Sequence, residues 1–331
     1  MNFPHQIPVT LLTGFLGAGK TTLLNRILSE EHGERIAVIE NEFGEAGIDS
    51  DLLINSKEQI VEMNNGCICC TVRGDLVRIL GELAQRRSSG EIDFDRVIIE
   101  TTGLADPAPV AQTFFVDEAI GNYYRLDAIV TVVDALHAPQ QFDEHHEAQE
   151  QVGFADRILV SKADLVAPAA ADALLARLKA MNGRAPVAFV NFGHTDLAQI
   201  LDVHGFNLDA ILEIAPDFLD DVTHEHDDDI ASFVFRAARP FRAGKLEDFL
   251  SGMLTQYGKD MLRYKGVLDV AGLPARVVFQ GVHMMMGSNM GAPWAAGEVH
   301  ESVMVFIGRN LPKDRFMAGL EACLVKPAVK A

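Results

Sequence analysis

Residues 9–28 read "VTLLTGFLGAGKTTLLNRIL", and this stretch decides the fold. Its first five residues are apolar or β-branched and predict a strand; the segment from Lys20 onward has the apolar spacing of a helix. Between them "GFLGAGKT", Gly14 to Thr21, satisfies G-x-x-x-x-G-K-[ST] in the strand-to-helix context that gives the motif its meaning. In such a loop the backbone at Gly14, Gly17, Ala18 and Gly19 curls around phosphate oxygens. Lys20 reaches the β- and γ-phosphates, the Thr21 hydroxyl can ligate Mg²⁺, and Thr22 continues a helix whose N-terminus adds positive potential. A nucleoside triphosphate site on an α/β scaffold is the expectation.

The chain around the loop agrees. Five further β-branched runs, at 35–40, 95–100, 128–135, 157–161 and 187–191, alternate with helix-length segments at 20–32, 74–87 and 169–181. Several runs are apolar on consecutive positions, as strands covered on both faces are. The fold class predicted is a doubly wound, mainly parallel sheet over residues 1–215. An acidic, histidine-bearing linker at 216–229, "PDFLDDVTHEHDDD", then leads to a smaller α+β domain over 230–331 with an antiparallel sheet and helices near 244–258 and after Lys313.

Two more motifs end predicted strands. "DRVIIETTGLADP" (95–107) sets Glu100 to hold a Mg²⁺-bound water and the Gly103 amide to meet a γ-phosphate, so the loop becomes a sensor of hydrolysis. "SKAD" (161–164) brings Lys162 and Asp164; a carboxylate here accepts two bonds from the N1–H and amine of guanine that adenine does not offer, which favours GTP over ATP. Ser161 departs from the usual Asn or Thr at that position.

Composition narrows the partners. The 331 residues carry 47 acids against 28 bases, a net charge of −19, which excludes sequence-independent attraction to nucleic acid or anionic lipid. No stretch approaches the ~18 apolar residues of a membrane span. The first residues lack the basic start and small-residue cleavage site of an export signal, so the expected location is the cytoplasm.

Three of the four cysteines, Cys67, Cys69 and Cys70, crowd into "NNGCICC" (64–70), which defeats a disulfide framework. Thiolates are soft ligands suited to Zn²⁺ or another divalent transition ion such as Co²⁺, and three of them leave a coordination position open for exchange. A redox pair or a nucleophile gains no support from a nearby histidine. Cys323, inside "FMAGLEACLV", reads as a buried core thiol.

With "GFLGAGKTTLLNRIL", "AVIENEFGE", "NGCICC", "ETTGLADP" and "SKAD" in this order, and "MLRYKGVLDV", "VVFQGV", "APW" and "HESVMVFIG" beyond, the chain resembles the CobW/YjiA-like family of SIMIBI-class P-loop GTPases, proposed metallochaperones. The resemblance implies a phosphate loop at Gly14–Thr21, an acidic first switch from Glu40 to Glu45, a C-x-C-C metal site and a base-reading Asp164. Glu40, Glu42 and Glu45 of "ENEFGE" (40–45) are either oxygen ligands that meet the metal or Mg²⁺ in one nucleotide state, with Glu40 and Glu45 the candidates, or a solvated acidic loop. The second lysine of the related partition-type ATPases is missing, since Phe15 and Leu16 stand there. The resemblance further implies a GTPase that couples Mg²⁺-GTP to a transition-metal site, zinc foremost, and delivers the ion to a metalloprotein client, with a homo-oligomer open. A P-loop small-molecule kinase and a nucleotide-independent metal buffer are the alternatives.

Weaker features complete the reading. "THEHDDD" (223–229) is either a metal-loading tract or a polar linker, and "EHHE" (144–147) is read as helix with its two histidines diverging. "HMMMGSNMG" (283–291) is read as a methionine-rich loop, and His300 falls inside a strand pattern as a satisfied polar residue. Asp49 and Asp51 are candidates for orienting the hydrolytic water.

Overall fold

In the computed structural model, which describes residues 6–30, 33–42, 59–64, 71–197, 200–205, 229–295 and 297–326, the strand that feeds the phosphate loop is central to a seven-stranded sheet. In chain order the elements are β1 (Ile7–Thr13), α1 (Lys20–Ser29), β2 (Ile36–Glu42), β3 (Gln59–Asn64), α2 (Thr71–Ser88), β4 (Arg96–Glu100), α3 (Ala108–Val116), α4 (Glu118–Tyr123), β5 (Tyr124–Asp134), α5 (Ala138–Glu144), α6 (His146–Phe154), β6 (Arg157–Ser161), α7 (Pro168–Met181) and β7 (Val187–Val190). The order across the sheet is β3-β2-β4-β1-β5-β6-β7, with every pairing parallel. All seven strands therefore end on one edge, and the chain leaves β1 toward β2 but later returns to fill the other side with β5. That reversal opens a crevice beyond the end of β1, where such sheets bind ligands.

Burial explains why the strands read as unbroken apolar runs. Leu12, Val38, Ile98, Val130, Val132 and Leu159 form one core with Leu23, Leu24, Ile27 and Leu28 of α1. On α2, Leu76, Ile79, Leu80 and Leu83 are buried at helical spacing, and the buried Tyr124 hydroxyl donates to the Leu80 carbonyl at 2.9 Å. β3 escapes sequence reading because "QIVEMN" is short and half polar; its partner β2 supplies the register, Glu40 opposite Glu62.

The chain divides into two compact units, Met1–Lys179 with Ala185–Phe206, and Ala180–Arg184 with Asn207–Ala331. The second contains β8 (Ile230–Ala237), α8 (Ala243–Tyr257), β9 (Met261–Leu268), β10 (Ala275–Val282), β11 (Met285–Pro293), β12 (Ser302–Arg309) and α9 (Lys313–Cys323). Its sheet is antiparallel in the order β11-β10-β9-β12-β8. Phe233 and Phe235, Tyr264 and Leu268, and Met304 and Phe306 alternate onto one face and pack with Leu246, Leu250, Phe316 and Leu320 of the two helices. Cys323 is a buried free thiol of that core.

Three sequence expectations change. The methionine-rich 283–291 is not a loop: Met285–Pro293 is an edge strand, paired along its length with β10 despite its glycines. "EHHE" is not one helix, because α5 stops at Glu144 and His145, with φ −135°, links it to α6. His300 precedes β12 rather than lying within it, stacked on Trp294 with ring centroids 4.5 Å apart. The linker tract from 216 to 228, and with it His224 and His226, lies outside the described residues, as do Asp49 and Asp51.

Candidate functional site

The phosphate loop turns out of β1 at Gly14, whose φ of 145° and whose neighbour forbid a side chain: a Cβ there would stand 2.3 Å from the Val132 carbonyl oxygen of β5. The loop closes into α1 at Lys20, which is largely buried and donates from Nζ to the Gly14 carbonyl at 2.8 Å. An ammonium curled back over its own loop sits where a phosphate oxygen would take over those bonds. On the next residue, the Thr21 hydroxyl donates to Glu100 Oε1 at 3.2 Å. Two elements 79 residues apart thus bring together the hydroxyl and carboxylate that the separate motifs predict.

Glu100 closes β4, and its Cα partner on β2 is Glu40, a buried carboxylate. Two acids thus stand in register on neighbouring strands, and Glu100 is the one that meets Thr21. An all-oxygen donor set of this kind suits Mg²⁺, a hard cation that keeps several waters and takes only one or two protein ligands beside phosphates. Beyond Glu100 the chain passes Gly103, which is pressed against the phosphate loop: a Cβ there would lie 2.6 Å from the Leu16 amide nitrogen. Only glycine permits that approach.

The other flank is built by the end of β6. Ser161 Oγ donates to the Ala18 carbonyl at 2.7 Å, so the serine that departs from the usual motif still ties this strand to the phosphate loop. Lys162, in the left-handed region with φ 57°, donates from Nζ to the Gly17 carbonyl at 2.8 Å and meets Asp134 Oδ2 at 2.7 Å. Asp164 lies on the single turn Ala163–Leu165. A cleft of about 380 Å³ opens here, lined by Gly19, Thr22, Lys162, Asp164, Asn191 and Phe192 among others, a volume in the range of small-molecule sites.

Asp134, at the end of β5, is the residue that sequence reading misses. Burial pushes its carboxyl up, yet hydrogen bonds from Lys162, His137 and the Leu136 amide outweigh burial and hold it below the usual carboxylate range. The signal is there as an acid ending the apolar run "AIVTVVD". Of the other predicted residues, Glu45 and the thiols Cys67, Cys69 and Cys70 lie outside the described residues. The described chain leaves β3 at Asn64 and resumes at Thr71, the first residue of α2.

Among the described residues one further set, Asp127, Asp202 and His204, brings three ligand-type atoms within 4.8 Å. It does not compete as a metal centre. Asp127 lies near the start of β5, and its carboxylate accepts from Arg125 at 3.1 Å, from Arg96 at 3.5 Å and from the Val203 amide at 3.1 Å; Asp202 pairs with Arg96 at 2.5 Å. Two guanidiniums already supply the positive charge.

No described helix is long and apolar enough to cross a membrane. Comparison with known proteins adds the lineage. Residues 8–189 match the family described as CobW/HypB/UreG, nucleotide-binding domain, and residues 230–324 match the cobalamin synthesis protein cobW C-terminal domain. The chain is 42% identical over 315 residues to the zinc chaperone YjiA of Escherichia coli, spanning 95% of this chain and 98% of that protein. It is 36% identical to the zinc chaperone CobW of Pseudomonas aeruginosa, over 96% of this chain and 92% of that one. The crystal structure of the Zn(II)-bound YjiA GTPase from E. coli superposes with a TM-score of 0.79 at 37% identity, covering 98% of this chain and all of the other. A phosphate loop whose threonine hydroxyl meets the acid that ends β4, two matched family regions and a full-length relative together mean that the chain belongs to the CobW family of P-loop nucleotide-binding proteins.

Proposed function

We propose that this protein is a GTP-hydrolysing zinc chaperone, which binds Zn²⁺ through Cys67, Cys69 and Cys70 in a manner coupled to Mg²⁺-GTP and passes it to a metalloprotein client. One observation carries the coupling. β3, from which the cysteine segment departs, pairs with β2, which carries Glu40; β2 pairs in turn with β4, which carries Glu100, and Glu100 touches Thr21. A change at the terminal phosphate would thus pass from β4 through β2 to β3, the strand that precedes the cysteine segment.

Each residue has a role that its surroundings support. The amides of Gly14 to Gly19 and the Lys20 ammonium hold the β- and γ-phosphates. Thr21 and Glu100 hold the Mg²⁺, directly or through its water, and that ion supplies charge neutralisation to the leaving phosphates. The Gly103 amide senses the γ-phosphate, and Lys162 and Asp164 hold the guanine in the cleft beside them. Cys70 precedes the eighteen-residue α2, whose N-terminal potential favours the thiolate that binds metal. The zinc reading also draws support from relatives named zinc chaperones and a zinc-regulated GTPase metalloprotein activator of Dictyostelium discoideum.

The deciding experiment measures Zn²⁺ affinity with a non-hydrolysable GTP analogue and with GDP. By linkage, tighter zinc in the triphosphate state obliges tighter nucleotide in the zinc state by the same factor, and a coupling of roughly 5- to 150-fold is the usual range. Equal zinc affinities in both states would sink the chaperone cycle and leave a metal buffer.

A further inference from the structure

Gln151 lies on α6 and is 1% exposed, outside every motif of the sequence. Its Nε2 donates to the carbonyls of Gly103 and of Ala105, each at 3.1 Å, so both carboxamide protons go to the loop that follows β4. Its own backbone carbonyl accepts from the Thr131 hydroxyl at 2.7 Å, which fixes this turn of α6 to β5. Its Oε1 is buried and accepts no hydrogen bond among the described residues. Burying an unused acceptor costs about 1–3 kcal/mol, a cost that methionine in the same space would not carry. Packing alone does not account for a glutamine here.

The same pair of helices reaches the phosphate loop. His145, between α5 and α6, stacks on Phe15 with centroids 4.8 Å apart, and Gln141 donates to the Leu16 carbonyl at 3.5 Å. Gly103 therefore stands between two supports: Leu16 on one side, which leaves no room for a Cβ, and Gln151 on the other. A planar carboxamide that grips two carbonyls of a short loop fixes the direction in which its peptide groups point.

We propose that Gln151 is the positioning residue of the γ-phosphate sensor: it sets the stance of the Gly103 peptide and thereby the discrimination between GTP and GDP. This rests on the reading of the chain as a GTPase. Gln151 touches no phosphate itself, and its effect falls on the state in which the Gly103 amide has a partner. Displacing a reacting or stabilising group by about 1 Å can cost ~100-fold in rate, so modest movement of this loop suffices.

The test uses the full chain with Gln151→Met, which keeps volume and removes both donors, and Gln151→Glu, which keeps shape and turns acceptors toward the two carbonyls. Affinity for a non-hydrolysable GTP analogue is expected to fall about 10-fold or more in both, with GDP affinity within about twofold and phosphate release slowed by ~10- to 100-fold. A purely structural role would weaken both nucleotides alike; an unchanged ratio of analogue to GDP affinity in a folded variant overturns the proposal. Hydrogen exchange in the unaltered chain gives a reading without a variant. Protection over Thr102–Ala105 is expected to rise with the analogue relative to GDP, and no difference between the two overturns the proposal. If the unaltered chain released no phosphate from GTP, the GTPase reading itself would fall and take the proposal with it.

Discussion

The ammonium of Lys162 lies 2.7 Å from the buried Oδ2 of Asp134. The same ammonium reaches the Gly17 carbonyl, so one ion pair fastens the base-side loop, the end of β5 and the phosphate loop together. Asp134 thus holds the side chain of Lys162, a residue proposed to line the base site, against the phosphate loop.

Asp134→Asn is expected to destabilise the protein by about 1–3 kcal/mol at neutral pH, because a buried set of donors loses its charged acceptor. GTP and GDP affinity fall together. The pH dependence has a definite sign: the folded carboxyl titrates below the ordinary value near 3.9, so its contribution is complete above that pH and is lost as pH falls through the folded pKa. Denaturant unfolding of both proteins across acid pH checks this, since the gap between them should close only below about pH 4. A constant gap down to the lowest pH would show that the ion pair is not its source.

Thr21 and Glu100 meet at 3.2 Å, and the proposed cation shares both. Thr21→Ala and Glu100→Gln should each abolish the Mg²⁺ dependence of GTP binding and slow turnover by about 100-fold or more, since charge neutralisation at the phosphates supplies several kcal/mol to phosphoryl transfer. Fluorescent-nucleotide titrations with and without Mg²⁺, beside a phosphate-release assay, report the two effects separately. Wild-type Mg²⁺ dependence in Glu100→Gln would remove Glu100 from the cation site.

The nucleotide cradle is legible in the sequence because its parts are local. "GFLGAGKT" fixes loop, lysine and hydroxyl within eight residues; Glu100 ends an apolar run and Asp164 follows one by a short turn, where a parallel sheet delivers them to one edge. Asp134 obeys the same rule, but no motif flags it. Gln151 is beyond such reading: its partners Gly103 and Ala105 are more than forty residues away, and a glutamine in "EAQEQVGF" looks like any helix-surface residue. The edge strand β11 is hidden for a physical reason as well, since "MMGSNMGAP" has glycines and no alternation and takes its extended form from β10. Intrinsic preference gives way to tertiary pairing at such positions.

Asp164 lines the cleft beside Lys162, where its two oxygens can accept from N1–H and the exocyclic amine of guanine. Asp164→Asn replaces one acceptor with a donor, which fits the N1–H and C2 carbonyl of xanthine instead. The expected outcome is a loss of about 100-fold or more in GTP affinity, in line with a pocket whose polar groups lose their partners, together with gain of XTP binding and hydrolysis. A competition series of GTP, XTP and ATP decides it. If Asp164→Asn still preferred GTP, the base would have to be read by other residues of the cleft, with Asn191 the first alternative.

Cys67, Cys69 and Cys70 supply all the soft ligands of the proposed cargo site, as the fourth cysteine, Cys323, is buried in the core of the second unit. Removing one ligating thiolate should weaken zinc by more than the roughly 100-fold that losing a hydrogen-bond partner of a ligand can cost. Cys69→Ser is therefore expected to lose tight Zn²⁺ binding while GDP affinity stays within about threefold, because the residues proposed to hold the nucleotide do not depend on a thiol. The informative readout is the coupling. In the wild type, zinc should raise affinity for the GTP analogue by the same factor by which the analogue raises affinity for zinc. In Cys69→Ser that rise should vanish, leaving the zinc-free nucleotide affinity of the wild type. A competing chelator titration for zinc and a parallel nucleotide titration at saturating zinc give both halves of the cycle. Persistence of the nucleotide response to zinc in Cys69→Ser would place the coupled ion at another set of ligands, and the cysteine segment would lose its assigned role.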